Sequence, residues 1–450
     1  MIEKTLNIVG VDMRFKVFLG LALATGMQLG CGKDSDSDKT PPPAGEPDAS
    51  VGTQPQPIPT DPTPDGGENP GDVAPVPGNL VGGLRMNQSD LFRNLGDGIA
   101  RKTAAFSQAT VKLSEAITSY CADPTATDRT PVRAAWKNAM LRWEELEVFQ
   151  VGPIAADGRK LKKGIYGWPQ EAKTCGIDDE VLKASKDPAY TLPIQTDRKG
   201  LQAIEYLLYE DSLASSCTAS HPVTKEWNAM SPEARAQARC AYLKPVVLEL
   251  QASAQTVQTV WGSEGSNYLT TVIGHAPKEK AALQSLYENL FYLDTDVKNY
   301  KLASPAGHDI MFCPSSPVPC TGAEEFPRSQ ISKEAIQANI AAFTDLMYGF
   351  EDASRKRPGG FAALVREVGD EAVATRSEAI TRDLMSYFAS QNESLPALIT
   401  QQNQEDCTKS QISLLCQLRK SINDISGVLK NEYSRILSLT VPADPIRDNH

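Results

Sequence analysis

From about residue 86 to residue 437 one pattern dominates the chain: apolar side chains recur at helical spacing over long runs, with few strand-like alternations. The periodicity predicts helices at roughly 88–120, 130–149, 197–213, 231–261, 267–301, 329–353, 359–369, 371–391 and 407–437. Thr130-Pro131 and Ser231-Pro232-Glu233 read as capped helix starts, with proline in the turn where its missing N–H costs nothing. Pro358-Gly359-Gly360 marks a turn. Two long irregular stretches, 150–196 and 302–328, interrupt the helices, and loops of such length inside a domain usually carry function. Long helices with such crossovers pack as antiparallel bundles. The expected fold class is all-α, as two fused antiparallel helical bundles over 86–301 and 302–440.

What precedes residue 86 cannot fold this way. Met13 begins MRFKVFLGLALATGMQLGC, in which Arg14 and Lys16 precede an apolar run too short to span a bilayer. That is a secretory signal over 1–31. Its Leu29-Gly30-Cys31 end resembles a bacterial lipoprotein cleavage site, although Gln28 stands where that motif has leucine. Cys31 would then be acylated and would tie the mature chain to the membrane. Gly32 after the cysteine gives no aspartate signal for inner-membrane retention, so the outer membrane is expected, facing periplasm or cell surface. Residues 32–85 are crowded with proline, aspartate and glycine and read as a disordered tether.

The net charge of −11 and the absence of a basic stripe with interleaved aromatics argue against nucleic acid. Protein partners are left open. Apart from Cys31, eight cysteines remain: Cys121, Cys175, Cys217, Cys240, Cys313, Cys320, Cys407 and Cys416. An even count in an exported chain predicts disulfides, and order and spacing favour neighbours: Cys121–Cys175, Cys217–Cys240, Cys313–Cys320 and Cys407–Cys416. No C-x-x-C, H-E-x-x-H, G-x-S-x-G or phosphate-cradling glycine loop occurs. The four histidines (221, 275, 308 and 450) show no ligand spacing.

One short stretch stands out. In "TDRKGLQAIEYLLYED", Thr196–Asp211, a cap at Thr196 or Asp197 would start a helix that is apolar around most of its circumference. Glu205 lies on that covered surface, one turn after Gln202. A carboxylate there must be paired or take up a proton. Gln202 could donate to it, and Arg198, two turns earlier, could supply counter-charge. It would be either an altered ligand site or a structural carboxylate between helices.

"AAWKNAMLRWEELEVFQVGP", "YGWPQ", "KGLQAIEYLLYED", "KLASPAG" and "EFPRSQIS" occur in this chain order. Together, across about 86–440, they resemble the imelysin family, also called insulin-cleaving membrane proteases or M75 peptidases. The resemblance implies a duplicated helical bundle, exported and often membrane-anchored, with a link to iron uptake and a peptidase label. The family's G-x-H-x-x-E aligns here with Gly200, Gln202 and Glu205, so glutamine stands in place of histidine. An imidazole three residues from a glutamate can share a metal or act as a base near neutral pH. An amide is a feeble ligand for iron or zinc and does not titrate. Glu205 is left as the one possible metal ligand of the motif.

Glu147 matches a family glutamate before Gly152-Pro153, and would either face the same cleft or be a solvated helix-end charge. Glu325 and Ser329, with Ser332, would complete a site at the junction of the bundles, or the serines would be ordinary N-caps. Trp136, Trp143 and Phe149 are expected in the core rather than as a ligand platform, and Trp168-Pro169 is expected to fix a loop against a bundle, with a pocket wall as the alternative. The expected protein is a non-catalytic binding lipoprotein associated with iron acquisition, taking a metal or small ligand. The alternatives are an M75-type metallopeptidase, or a structural or adaptor lipoprotein with a degenerate site.

Overall fold

A computed structural model describes residues 86–169, 172–262, 279–307, 320, 322–351, 357, 359–402 and 414–443. The signal peptide, Cys31, the tether and parts of the helices expected at 267–301 and 407–437 lie outside the described residues. Among the described residues there is no β-strand, and the fold is all-α. No described helix is long and apolar enough to cross a membrane.

Helix α1 (Gln88–Tyr120) starts with a reciprocal cap in which the Asn87 side chain accepts from Asp90 N–H while Asp90 accepts from Asn87 N–H. Helix α2 (Thr130–Glu147) folds back along it, so that Phe106 meets Trp143 and Lys102 pairs with Glu145. The next segment corrects a sequence expectation. Residues 150–196 are not irregular throughout, because α3 (Ala156–Ile165) and α4 (Thr174–Lys186) lie within them. Both are short, and α3 begins with Asp157, Gly158 and Arg159 in the left-handed region. Too few turns remain for a periodic signal to stand out.

Then come α5 (Gly200–Tyr209), α6 (Pro222–Ala229) and α7 (Pro232–Trp261). Ser231 caps α7 as expected, accepting from Ala234 N–H. Neither Thr196 nor Asp197 caps α5; they form a separate tight turn, Thr196–Arg198, and Lys199 precedes the helix. After α8 (Glu279–Asn289) the chain widens into a π-helix, Leu293–Ala303. Helices α9 (Ser332–Tyr348), α10 (Phe361–Glu367), α11 (Glu371–Ala389), α12 (Leu395–Gln402) and α13 (Leu414–Val428) follow. A second π-turn, Leu429–Tyr433, leads into the short α14 (Ser434–Ile436).

The first four of these cysteines pair differently from the neighbour rule. Cys121 bonds to Cys240 across 119 residues, and Cys175 to Cys217 across 42. The reason is the packing of α1 against α7. Cys121 follows the last residue of α1 and Cys240 lies near the start of α7, while Ser107 of α1 meets Gln255 late in α7. The two helices therefore run antiparallel, which brings cysteines distant in sequence to one end of the pair. Cys320 and Cys416 are also disulfide-bonded, and Cys313 and Cys407 lie outside the described residues.

Trp136, Trp143 and Phe149 are fully buried, as their spacing predicts. Helix α9 runs alongside α2 in the same direction, with Lys137 bonded to Glu334 and Asn339 to Glu144. The π-helix packs on α13 through Lys298, which donates to Asn423 Oδ1 at 2.9 Å, and Asp294 pairs with Lys298 at 2.6 Å and with Lys430 of the second π-turn at 2.9 Å. These contacts place the end of α2, the start of α9, α5 and the π-helix around one polar interior.

Candidate functional site

The C-terminal turn of α2 carries Glu144 and Glu147, three residues apart and so on one face, and both are 0 % exposed. A helix C-terminus is the negative end of its dipole, which makes two buried acids there costlier still. Cations answer them. Lys301 of the π-helix places its Nζ 2.7 Å from Glu144 Oε2, 2.9 Å from Glu325 Oε2 and 3.6 Å from Glu147 Oε2. Lys162 of α3 lies 2.9 Å from Glu147 Oε1. The Tyr292 hydroxyl donates to Glu147 Oε2, and the Asn339 amide donates to Glu144 Oε2.

Three carboxylates thus face two ammonium groups in a dry interior, and they respond unequally. Burial raises the Glu144 carboxyl, with Lys301 opposing. Burial lifts Glu325 well above the ordinary carboxyl range, and the neighbouring Glu144 adds to the rise. Glu147 is also penalised by burial, but Lys162 and Lys301 together outweigh that and hold it low. Glu325 and Glu144 are therefore the acids whose charged form is least favoured. Burial and the surrounding carboxylates push the Tyr166 hydroxyl far up, so it stays a neutral donor.

In front of this group lies a polar cleft of about 250 Å³ lined by Tyr166, Trp168, Gln202, Glu205, Glu325 and Arg328, among others. Gly200 positions α5 at its wall. Its φ is +72°, and a Cβ there would lie 2.4 Å from the Ile165 carbonyl oxygen and 2.6 Å from that of Gly164. Glu205 is 5 % exposed and is held by Ser329, whose N–H and Oγ–H donate to Oε1 at 3.0 and 2.7 Å. Burial raises the Glu205 carboxyl, while the Ser329 bonds and the Arg328 charge pull it back.

Several sequence expectations are corrected here. Gln202 does not bond Glu205; its Nε2 donates to the Thr196 carbonyl at 3.3 Å, because the turn before α5 brings that oxygen within reach. Arg198 turns away to Glu180, at 3.0 Å. Glu147 is not a solvated helix-end charge, since it lies behind the cleft and joins it through Lys301 and Glu325. Ser329 and Ser332 are not N-caps. Ser329 serves Glu205, Ser332 Oγ accepts from Phe326 N–H, and Ile331 precedes α9. Trp168 and Pro169 do more than fix a loop, for both line the cleft, with Trp168 against Tyr300 and beneath Lys301.

Lys301, Lys162, Glu144 and Tyr292 were missed as site residues. Glu144 and Glu147 share a helical face in "WEELE", and Lys301 opens "KLASPAG", so the positions were visible though their convergence was not. The donor set does not fit a resident metal. The oxygens of Glu144, Glu147 and Glu325 come within 4.8 Å of one another, but an ammonium group sits among them at hydrogen-bond distance. At the motif itself Glu205 has an amide beside it, not an imidazole, and its Oε1 is engaged by Ser329. The other three-residue grouping, Cys175, Cys217 and His221, offers no thiolate because its cysteines are bonded to each other.

The imelysin (peptidase M75) profile matches residues 100–421. Iron-regulated protein A of Synechococcus elongatus is 35% identical over 101 residues, which are 22% of this chain and 25% of that protein. Two solved structures share the fold at 15% identity. An imelysin-like protein from Psychrobacter arcticum superposes with a TM-score of 0.55, covering 79% of this chain and 96% of that one. A protein described as an iron-regulated protein A precursor, from Parabacteroides distasonis, superposes with a TM-score of 0.57, covering 79% and 97%.

Proposed function

This chain belongs to the imelysin family, the M75 peptidases, and we propose on that premise that it is an exported, non-catalytic binding lipoprotein that serves iron acquisition. In this reading Cys31 carries the lipid anchor, residues 32–85 space the folded part from the membrane, and the bundles 86–301 and 302–440 enclose the binding cleft. The iron link draws on the names of the relatives, and the cleft's polar lining suits a small hydrophilic ligand or a coordinated ferric ion as cargo.

One observation carries the reading. Where the family has an imidazole, Gln202 turns its amide to Thr196, and Glu205 is braced by Ser329 instead of being aimed by a base. A group that neither titrates near neutral pH nor ligates well leaves a site able to hold but poorly equipped to cleave. Behind it, the acids that could complete a metal centre are bonded to Lys301.

The test pairs two assays on the mature protein. Equilibrium dialysis against ferric citrate is expected to show retention that weakens in Glu205→Gln and Arg328→Ala. Digestion of an unfolded protein substrate is expected to stay at the blank rate. Hydrolysis at enzymatic speed, abolished by Glu205→Gln, would establish the peptidase reading, which draws on two buried carboxyls, Glu205 and Glu325, whose pKa values are raised beside a cleft. Neither retention nor hydrolysis would leave the structural role.

A further inference from the structure

A second cavity, of about 360 Å³, shares no lining residue with the Gln202–Glu205 cleft. It opens where the segment after α2 meets α8 and the first turn of the π-helix. Val151, Phe291, Tyr292 and Pro442 give it an apolar and aromatic wall. Its charged and amide groups differ in position and sign: Asn289 is buried and Asp296 half-buried within it, Glu288 and Arg159 are at exposed positions, and Gln150, Ser285 and Thr295 complete the polar lining.

Two of these are not used up by the fold. Asn289 is only 7 % exposed, yet its Nδ2 has no hydrogen-bond partner. A buried amide donor left without an acceptor costs on the order of 1–3 kcal/mol, which an acceptor arriving in the cavity would recover. Asp296 accepts one bond, from Thr295 Oγ1 at 2.7 Å. The cations that act on it, Lys162 and Lys301, are themselves bonded to Glu147, Glu144 and Glu325. Burial raises its carboxyl, and a cation placed beside it would favour the ionised form and pair with it.

We propose that this cavity is a second ligand site, built for a small organic ammonium ion that also carries a carboxylate or carbonyl acceptor, as free amino acids and short peptides do. The ammonium group lies against Asp296, with the Tyr292 and Phe291 rings flanking it, and the acceptor end takes the Asn289 Nδ2–H. Arg159 at the mouth favours a carboxylate at that end, and Glu288 adds to the attraction for the amine. A bare divalent cation would use the carboxylates but would leave the amide donor and the aromatic wall without a role. The site stands apart from the family motif and does not depend on the function proposed for the cleft.

Isothermal titration of the mature protein with the twenty L-amino acids and with the series glycine, diglycine and triglycine tests this, the series setting ammonium and carboxylate at increasing separation. At least one member is expected to bind with a Kd of about 1 mM or tighter. Asp296→Asn, which preserves size and the Thr295 contact, should weaken that binding at least tenfold, and Asn289→Leu should do the same. Glu288→Gln, at an exposed position that cannot upset the core, should weaken it a few-fold and covers the case in which Asn289→Leu fails to fold. The proposal is overturned if no member of the panel binds. It falls equally if binding survives Asp296→Asn but is lost in Glu205→Gln, which would place the ligand in the cleft. Competition by calcium or magnesium with no effect of Asn289→Leu would reassign the cavity to a metal ion.

Discussion

Replacing Lys301 with methionine tests the charge arrangement most directly. The side chain keeps its length, so packing changes little, but the ammonium that serves Glu144 and Glu325 is gone. All the side chains concerned are 1 % exposed or less, so water does not compensate. Breaking a buried ion pair by deleting one partner costs about 3–5 kcal/mol. The loss should depend on pH, and the sign follows from proton uptake. Glu144 and Glu325 already have folded pKa values above their unfolded ones, and losing Lys301 raises them further. A folded state that binds more protons than the unfolded state loses stability as pH rises, by about 1.4 kcal/mol per pH unit for each group. Lys301 itself, with a folded pKa raised above the lysine value by Glu144, Glu325 and Glu147 against the opposing penalty of burial, loses its stabilising effect only in the alkaline range, so between about pH 5 and pH 8 the wild type shows only the shallower fall due to Glu144 and Glu325, and the variant's fall is steeper. Guanidinium titrations of both proteins across that window should show a deficit near 3–5 kcal/mol at the upper end that shrinks toward the lower. A deficit below about 1 kcal/mol, or one independent of pH, refutes the view that this ammonium neutralises the acids.

Other substitutions probe the supports of the cleft. Gly200→Ala forces a Cβ against two backbone carbonyls at positive φ, so a loss of more than about 1–3 kcal/mol in chemical denaturation is expected. Ser329→Ala removes the 2.7 Å hydroxyl bond to Glu205 and keeps the backbone one, so the Glu205 carboxyl should titrate higher by carbon-detected NMR; an unchanged titration would show that the hydroxyl contributes nothing. Replacing both Cys121 and Cys240 with serine opens the 119-residue loop and should cost about 2–5 kcal/mol, read as an earlier denaturation midpoint. Peptide mapping without reduction should recover Cys121 linked to Cys240 and not to Cys175.

Much of the fold was legible because the signals were local. A helix of 33 residues with a reciprocal cap, or one starting at Ser231-Pro232, declares itself through periodicity and capping chemistry that depend on neighbours a few positions away. Helices α3, α4 and α6 span 10, 13 and 8 residues, and tertiary packing rather than pattern holds them in place. The disulfides followed the same divide. Nearness in sequence was a poor guide to which cysteines meet once α1 and α7 ran antiparallel. For the cleft, "KGLQAIE" located Glu205 but not its partner. Ser329 lies 124 residues away, and only the folded chain brings its hydroxyl to that carboxylate.

The least legible element is also the one on which the polar interior depends. Residues 293–301 read as the tail of an ordinary α-helix, yet Leu293–Ala303 forms a π-helix, in which each hydrogen bond reaches one residue further back. That change resets which side chains face inward. Asp294 and Lys298 turn into a buried pair against α13, and Lys301 turns the other way, into the acids of α2 and Glu325. The second π-turn, at Leu429–Tyr433, supplies Lys430 to Asp294 and a carbonyl to the Tyr287 hydroxyl. No propensity favours such a helix in isolation. It persists because charges contributed by α2, the segment before α9 and the second π-turn fix it, together with the Asn423 amide of α13, and Glu144, Glu325 and Lys430 are separated by more than a hundred positions in the chain. The cleft's acids and the helix that neutralises them therefore specify each other, which is why neither could be read from its own stretch of sequence.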